Sequence, residues 1–125
     1  MSIKHWIEKD KKRVRAVIKG KITTEEIIQA INKSLHDPDF ENGFDILSDH
    51  TGIEKAITTD QVMKTSSHIQ NFKDRFKGSR WAVVTEKEVS YGMMRMLSTY
   101  LEKASLSMRV FKTYEDADNW LKGKK

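Results

Sequence analysis

The sequence predicts an α/β domain: a mixed five-stranded sheet with about four helices, in the order ββαβαβαβα. Three observations carry this. Two strand-like segments, residues 3–8 and 13–19, open the chain with only "KDKK" between them. Beyond them, apolar residues at helical spacing alternate with short apolar runs. A tight turn joins antiparallel neighbours, whereas helical crossovers join parallel strands, so the sheet is mixed. The 125 residues contain no linker, repeat or low-complexity segment, which makes residues 1–125 a single domain.

In residues 13–19, Val14, Ala16 and Ile18 face one way. Arg13, Arg15 and Lys19 face the other, with Val17 among them. Such a strand has one partly wet face and lies toward a sheet edge, so residues 1–21 read as an N-terminal β-hairpin. In "GKITTEEIIQAINKSL", Thr23 caps a helix and Glu26 completes a capping box. Ile27, Ile31 and Leu35, with Ile28 alongside, form its apolar stripe. Pro38 bars helix in the loop "HDPDFENG". "FDILSD" is a short strand.

Residues 59–77 read as the longest helix, with Val62, Ser66, Ile69, Lys73 and Phe76 on one side and Gly78 as its stop. "RWAVVT" is the most apolar strand and is placed centrally. A helix follows from about Ser90 to Ala104, then the strand "SMRVFKT". Thr113 caps a final short helix, and residues 122–125 form a basic tail.

Composition narrows the function classes. The absence of cysteine excludes disulfides and thiolate metal sites. No apolar run reaches membrane-spanning length, and the N-terminus lacks the apolar core of a signal peptide. A cytoplasmic, bacterial-type domain is expected. The net charge is +5, and residues 1–21 alone carry eight Lys/Arg against Glu8 and Asp10. No aromatic residues interleave with them and no zinc-finger or RNP motif is present, so they read as a solvated hairpin rather than a nucleic-acid surface.

The stretch "FDILSDHTGIEKAITTDQV" holds the densest chemistry. Ser48, Asp49, His50 and Thr51 are adjacent, but neighbours in a strand point to opposite faces, so adjacency makes no triad. There is no G-x-S-x-G elbow. An enzyme using His50 with Asp49 or Arg95 ranks last. Asp49 and Thr51 are expected to bond the turn backbone, and Gly52 to take a backbone angle that other residues avoid. The four histidines show neither H-x-x-x-H nor H-E-x-x-H spacing, and no phosphate-binding glycine motif occurs. No catalytic set, metal or cofactor is expected.

Two further features are candidate binding surfaces. Thr58 with Gln61 fits a capping box, with Thr59 as the other candidate cap. A hydroxyl at a helix N-terminus also suits phosphorylation, because the added charge would sit on the positive end of the helix dipole. Tyr91, Met93, Met94, Met96 and Tyr100 form a candidate ligand pocket or dimer face, against ordinary core filling as the competing reading. Met94 and Met96 lie roughly 200° apart on a helix, so they do not share one core-facing stripe, and a homodimer would cover one of them.

Taken in order, "GKITTEEIIQAI", "DPDF", "ILSDHTGI", "WAVVTEKEVSYGMMRM" and "RVFKTYEDADNWL" resemble the SpoIIAA-like family, a branch of the STAS-domain (anti-sigma-factor antagonist) superfamily. The resemblance covers nearly the whole chain. It implies small regulatory or ligand-carrying domains without built-in catalysis, in a wider fold group that includes lipid-carrying domains similar to Sec14. In STAS switch proteins a kinase phosphorylates a serine where the helix begins after a D-x-x-G-type loop. The resemblance puts Asp49 and Gly52 on that loop and Thr58 near the acceptor. Ile57 stands where the motif has an acid, and Asp60 replaces its small residues or glycine.

Two readings follow. One is a non-enzymatic module that docks a protein partner through Asp49, Thr51, Gly52, Thr58 and Thr59. The other is a carrier or sensor of a small apolar or lipid-like ligand, with its pocket near the Met93–Tyr100 helix.

Overall fold

Strands β1 (Ile3–Glu8) and β2 (Arg13–Gly20) pair antiparallel, from Ile3 opposite Ile18 to Glu8 opposite Arg13. A 3-10 turn at Lys9–Lys11 joins them, and Lys12 closes it at a left-handed φ of 55°. The structure is a computed structural model that describes residues 2–123. The hairpin is followed by α1 (Thr24–His36), β3 (Asp45–Ile53), α2 (Thr59–Gln70) and α3 (Lys73–Phe76). Then come β4 (Arg80–Val84), α4 (Glu88–Leu101), β5 (Ser107–Phe111) and α5 (Tyr114–Gly123). The five strands lie side by side in chain order. β1 is antiparallel, and β2 to β5 are parallel.

This order dictates the layers. From β2 to β5 the chain advances across the sheet without reversing, so right-handed crossovers place every connecting helix on the same face. α1, α2 and α4 accordingly share the larger core with Val14, Val83 and Met108 of the sheet. α5 is not a crossover and covers the other face. There Ala117 and Leu121 pack on Leu47, Ala82 and Val84. Strand alternation separates the two sides: Ile46, Ser48 and His50 face the three-helix layer, while Leu47 faces α5.

Arg13 ties the hairpin to the last helix. Its Nη1 donates to Asp118 Oδ1 at 2.6 Å, and Lys122 Nζ lies 2.9 Å from the other carboxylate oxygen. Burial pushes the Asp118 carboxyl up, but the Lys122 and Arg13 hydrogen bonds and charges outweigh it and hold the group below its usual range.

The fold class is as predicted, with four differences inside it. First, there are five helices, because the segment 59–77 is broken. Asn71 and Phe72 donate to His68 and Ile69, three residues back, and Phe72 leaves helical geometry at φ −120°, ψ 27°. An unbroken helix would carry Lys73 on the buried stripe. The break turns Lys73 to solvent while Phe76 stays buried. Second, the longest helix is therefore α4, with 14 residues. Third, "FDILSD" is not a short strand: β3 runs on through Ile53 for nine residues, the longest in the sheet. β2 is long enough to keep pairing it after β4 has ended, with Lys19 opposite Gly52 and Gly20 opposite Ile53. Fourth, the expected basic tail begins inside α5, which includes Lys122 and Gly123; Lys124 and Lys125 lie outside the described residues.

Candidate functional site

Beneath α1 and α2 the larger core is hollow. Ala16 of β2 and Ser48 of β3 are register partners on the same face, and both are small. Ala30 and Ser34 on α1 face the same space. Four small side chains across one sheet–helix interface leave a cavity of about 110 Å³. Ile27, Ile31, Val62 and Ile69 roof it, and Met94 and Leu97 of α4 close one side. Ile46 and Trp81 stay only half-buried, although β3 and β4 are each flanked by strands on both sides. The hollow lies against them.

The lining is almost wholly apolar, with one polar strip on the sheet. Trp81 Nε1 donates to Ser48 Oγ at 2.8 Å, and Ser48 Oγ lies 2.9 Å from His50 Nε2. His50 is 2% exposed. Burial pushes its imidazole down to about 4, a shift that the neighbouring Asp49 charge opposes, so the ring is neutral at neutral pH. Its Nδ1 has no hydrogen-bond partner among the described residues. At the β1 side His5 also lines the cavity, with Nε2 4.0 Å from Asp37 Oδ2 and the side chain 21% exposed.

The residues singled out in the sequence distribute over several places. Asp49, Thr51 and Gly52 lie on β3, not in a turn. Between Val17↔Asp49 and Lys19↔Gly52 β3 carries one more residue than β2, a bulge. Within it Thr51 donates from its N and Oγ1 to Asp49 Oδ1, at 2.9 and 2.7 Å. Gly52 does not adopt a positive φ. Its constraint is close approach: a Cβ there would meet Lys19 Cγ at 2.9 Å and the Ile18 carbonyl oxygen at 3.3 Å. Asp49 pairs with Val84 on the α5 side of the sheet, so its carboxylate does not meet His50 on the cavity side.

Thr58 is the cap of α2. It accepts from Gln61 N at 3.2 Å, and the Gln61 side chain accepts from Thr58 N at 2.9 Å. Gln61 Nε2 also donates to the Ile22 carbonyl, tying α2 to the loop before α1. Thr58 and Thr59 are exposed and border a shallow surface groove with Val89 and Met93. Ile57 lines both this groove and the inner cavity. Of the α4 candidates only Met94 lines the cavity. Tyr91 is half-buried and Tyr100 is exposed. Met96 is half-buried against the same core as Met94, so its apolar surface needs no second subunit to cover it.

Ser48 and Trp81 had not been read as site residues. Their signal was the i, i+2 alternation of Ile46, Ser48 and His50, which is informative only once β3 is known to continue past Asp49. Among the described residues no cluster of three or more potential metal ligands occurs, and no helix is long and apolar enough to cross a membrane.

The SpoIIAA-like family model matches residues 13–122. The chain belongs to the SpoIIAA-like family. Among solved structures it is similar to an uncharacterized protein of the DUF3478 family with a SpoIIAA-like fold, from Shewanella loihica PV-4. That match has a TM-score of 0.63 at 17% identity and covers 95% of this chain and 91% of the other, a likeness of fold. No curated protein matches the chain.

Proposed function

We propose that this protein is a non-enzymatic carrier or sensor that holds a small apolar ligand between the sheet and helices α1, α2 and α4. One observation carries the reading: an apolar cavity of about 110 Å³ with a short polar strip on its floor. Ligand sites are concave, mostly apolar, and use a few placed polar groups to orient what they hold. The size argues for a small ring or short chain rather than a lipid acyl chain, since a dry apolar cavity of about 150 Å³ accommodates benzene.

The arrangement around His50 supports a binding role over hydrolysis. A serine–histidine nucleophile needs an orienting acid on the second ring nitrogen. Here that nitrogen has no hydrogen-bond partner among the described residues, and the adjacent Asp49 is engaged with Thr51. Native mass spectrometry of protein taken from cell extract tests the proposal. A reproducible small adduct that disappears on unfolding supports it. A clean apo mass, with no thermal shift across a panel of small apolar compounds, would sink it.

A second reading has its own observation. The groove beside Thr58 and Thr59 exposes Val89, and shares Ile57 with the cavity. A protein partner seated there would sense cavity occupancy through Ile57. For the switched form of this reading, Thr58→Glu changes partner affinity; equal binding by both proteins would count against it.

A further inference from the structure

Most polar groups in the interior find partners within the fold. Arg13 meets Asp118, and the Asp45 carboxylate accepts from Arg80 N. Thr23, Thr58 and Thr113 cap helices. Ser34 returns its hydroxyl to the Ala30 carbonyl. The Ser79, Thr85 and Ser90 hydroxyls are buried without partners, but none of these residues lines the cavity. His50 differs from them: it is fully buried, lines the cavity and keeps one ring nitrogen unpartnered.

Which nitrogen carries the proton follows from the chain of hydrogen bonds. The Trp81 indole N–H only donates, so Ser48 Oγ accepts from it. Ser48 has one proton left, and the partner within reach is His50 Nε2 at 2.9 Å. If Ser48 donates there, Nε2 is the acceptor and the neutral ring holds its proton on Nδ1. One buried group, the Nδ1–H, is then unsatisfied. In the opposite tautomer Ser48 accepts twice. That leaves its own hydroxyl proton and a bare Nδ1 both unsatisfied, two buried groups instead of one. Buried polar groups left unmade are costly, so the first arrangement wins.

We propose that His50 Nδ1–H is the recognition donor of this cavity, and that the ligand is a small apolar molecule carrying one uncharged oxygen acceptor, such as a ketone, aldehyde or ester carbonyl. This rests on the carrier reading above and adds the chemical class to it. Ser48 and Trp81 are positioning residues: they hold the imidazole in the tautomer that points a proton away from them. A carboxylate is disfavoured because no Lys or Arg lines the cavity and Asp49 adds negative charge next to His50 in the chain. A hydrocarbon fits the walls but leaves the N–H unmet.

The test uses three probes of similar size: cyclopentanone, methylenecyclopentane and cyclopentanecarboxylate. The full chain, labelled with ¹⁵N in histidine, is titrated with each while the imidazole nitrogens and their protons are followed by NMR. The expected result begins with a free protein whose His50 proton is on Nδ1. Cyclopentanone then moves that N–H resonance saturably, and methylenecyclopentane binds without moving it. In His50→Phe, which keeps a ring in the wall, the ketone-to-hydrocarbon affinity ratio falls about tenfold, the scale of one hydrogen bond to a buried acceptor.

A His50 proton on Nε2 would overturn the inference. So would binding of both neutral probes with the N–H unmoved, a result that leaves the carrier reading intact. Tighter binding of the carboxylate, with proton uptake by His50, would overturn the uncharged class. Failure of all three probes to bind would count against the carrier reading and this inference together. The spectra of the unmutated protein decide these outcomes even if His50→Phe does not fold.

Discussion

Ser48 Oγ and His50 Nε2 lie 2.9 Å apart on the cavity face of β3, two residues from each other along the chain. The pair is buried beneath a layer of isoleucine, valine and methionine side chains, and Trp81 completes its hydrogen bonding from β4. The geometry makes His50 a neutral base under a desolvation load, which has a consequence for stability.

The folded protein resists protonating His50 until about pH 4, whereas the unfolded chain takes that proton near the ordinary value of 6.5. Above pH 6.5 both states are neutral and no penalty arises. As pH falls from 6.5 toward 4 the unfolded state binds more protons, so stability is lost at up to about 1.4 kcal/mol per pH unit. Urea melts at pH 7 and pH 4.5 should show the wild type losing about 2.5 kcal/mol more than His50→Phe does. Equal losses would mean that His50 is not the group responsible.

The cavity owes its volume to small side chains meeting across β2, β3 and α1, with Ala16 directly opposite Ser48. Ala16→Ile places a β-branched residue, suited to a strand, into that hollow. Stability without ligand should change by less than about 1.5 kcal/mol, because added volume has space to occupy. The thermal shift produced by cyclopentanone in the wild type should vanish. An undiminished shift would place the ligand elsewhere.

Arg13 and Asp118 join the hairpin to α5 from opposite ends of the chain, and Arg13 is 2% exposed. Arg13→Met removes one partner and leaves the carboxylate with Lys122 alone. Chemical denaturation should register a loss of about 3 kcal/mol. The double change Arg13→Met with Asp118→Leu should recover more than half of it, since no buried charge then stands without its strand-side partner. A double variant as weak as the single one would show that the ion pair itself, not an abandoned charge, holds α5.

Thr58 caps α2 through its hydroxyl. Thr58→Ala should cost about 1 kcal/mol, and Thr58→Asp should restore most of it, because aspartate caps well and favours the helix N-terminus. Thermal melts of the two variants check this. Equal loss in both would mean that the capping geometry contributes little.

The contrast between what the sequence revealed and what it concealed has a physical basis. The Thr23–Glu26 and Thr58–Gln61 boxes were legible because each is closed within four residues. The ββαβαβαβα order was legible because burial imposes its period on each element separately. The extent of β3 was not. Residues 49–53 are polar or small and read as loop; only pairing with Lys19 and Gly20, far away in the chain, holds them extended. The break at Asn71 and Phe72 carries no proline or glycine to announce it. The cavity is the least local feature. Ala16, Ala30, Ser34 and Ser48 are unremarkable one by one, and become a site only when the register sets them against one another.

That register is open to direct test. Methyl-labelled protein titrated with cyclopentanone reports each Ile, Val, Leu and Met side chain by NMR. Ile31, Ile46, Val62 and Met94 should shift saturably and together, while Val84 and Leu121, on the α5 side of the sheet, stay in place. Saturable shifts confined to Val84 and Leu121, or no saturable shift among the cavity methyls, would contradict the account.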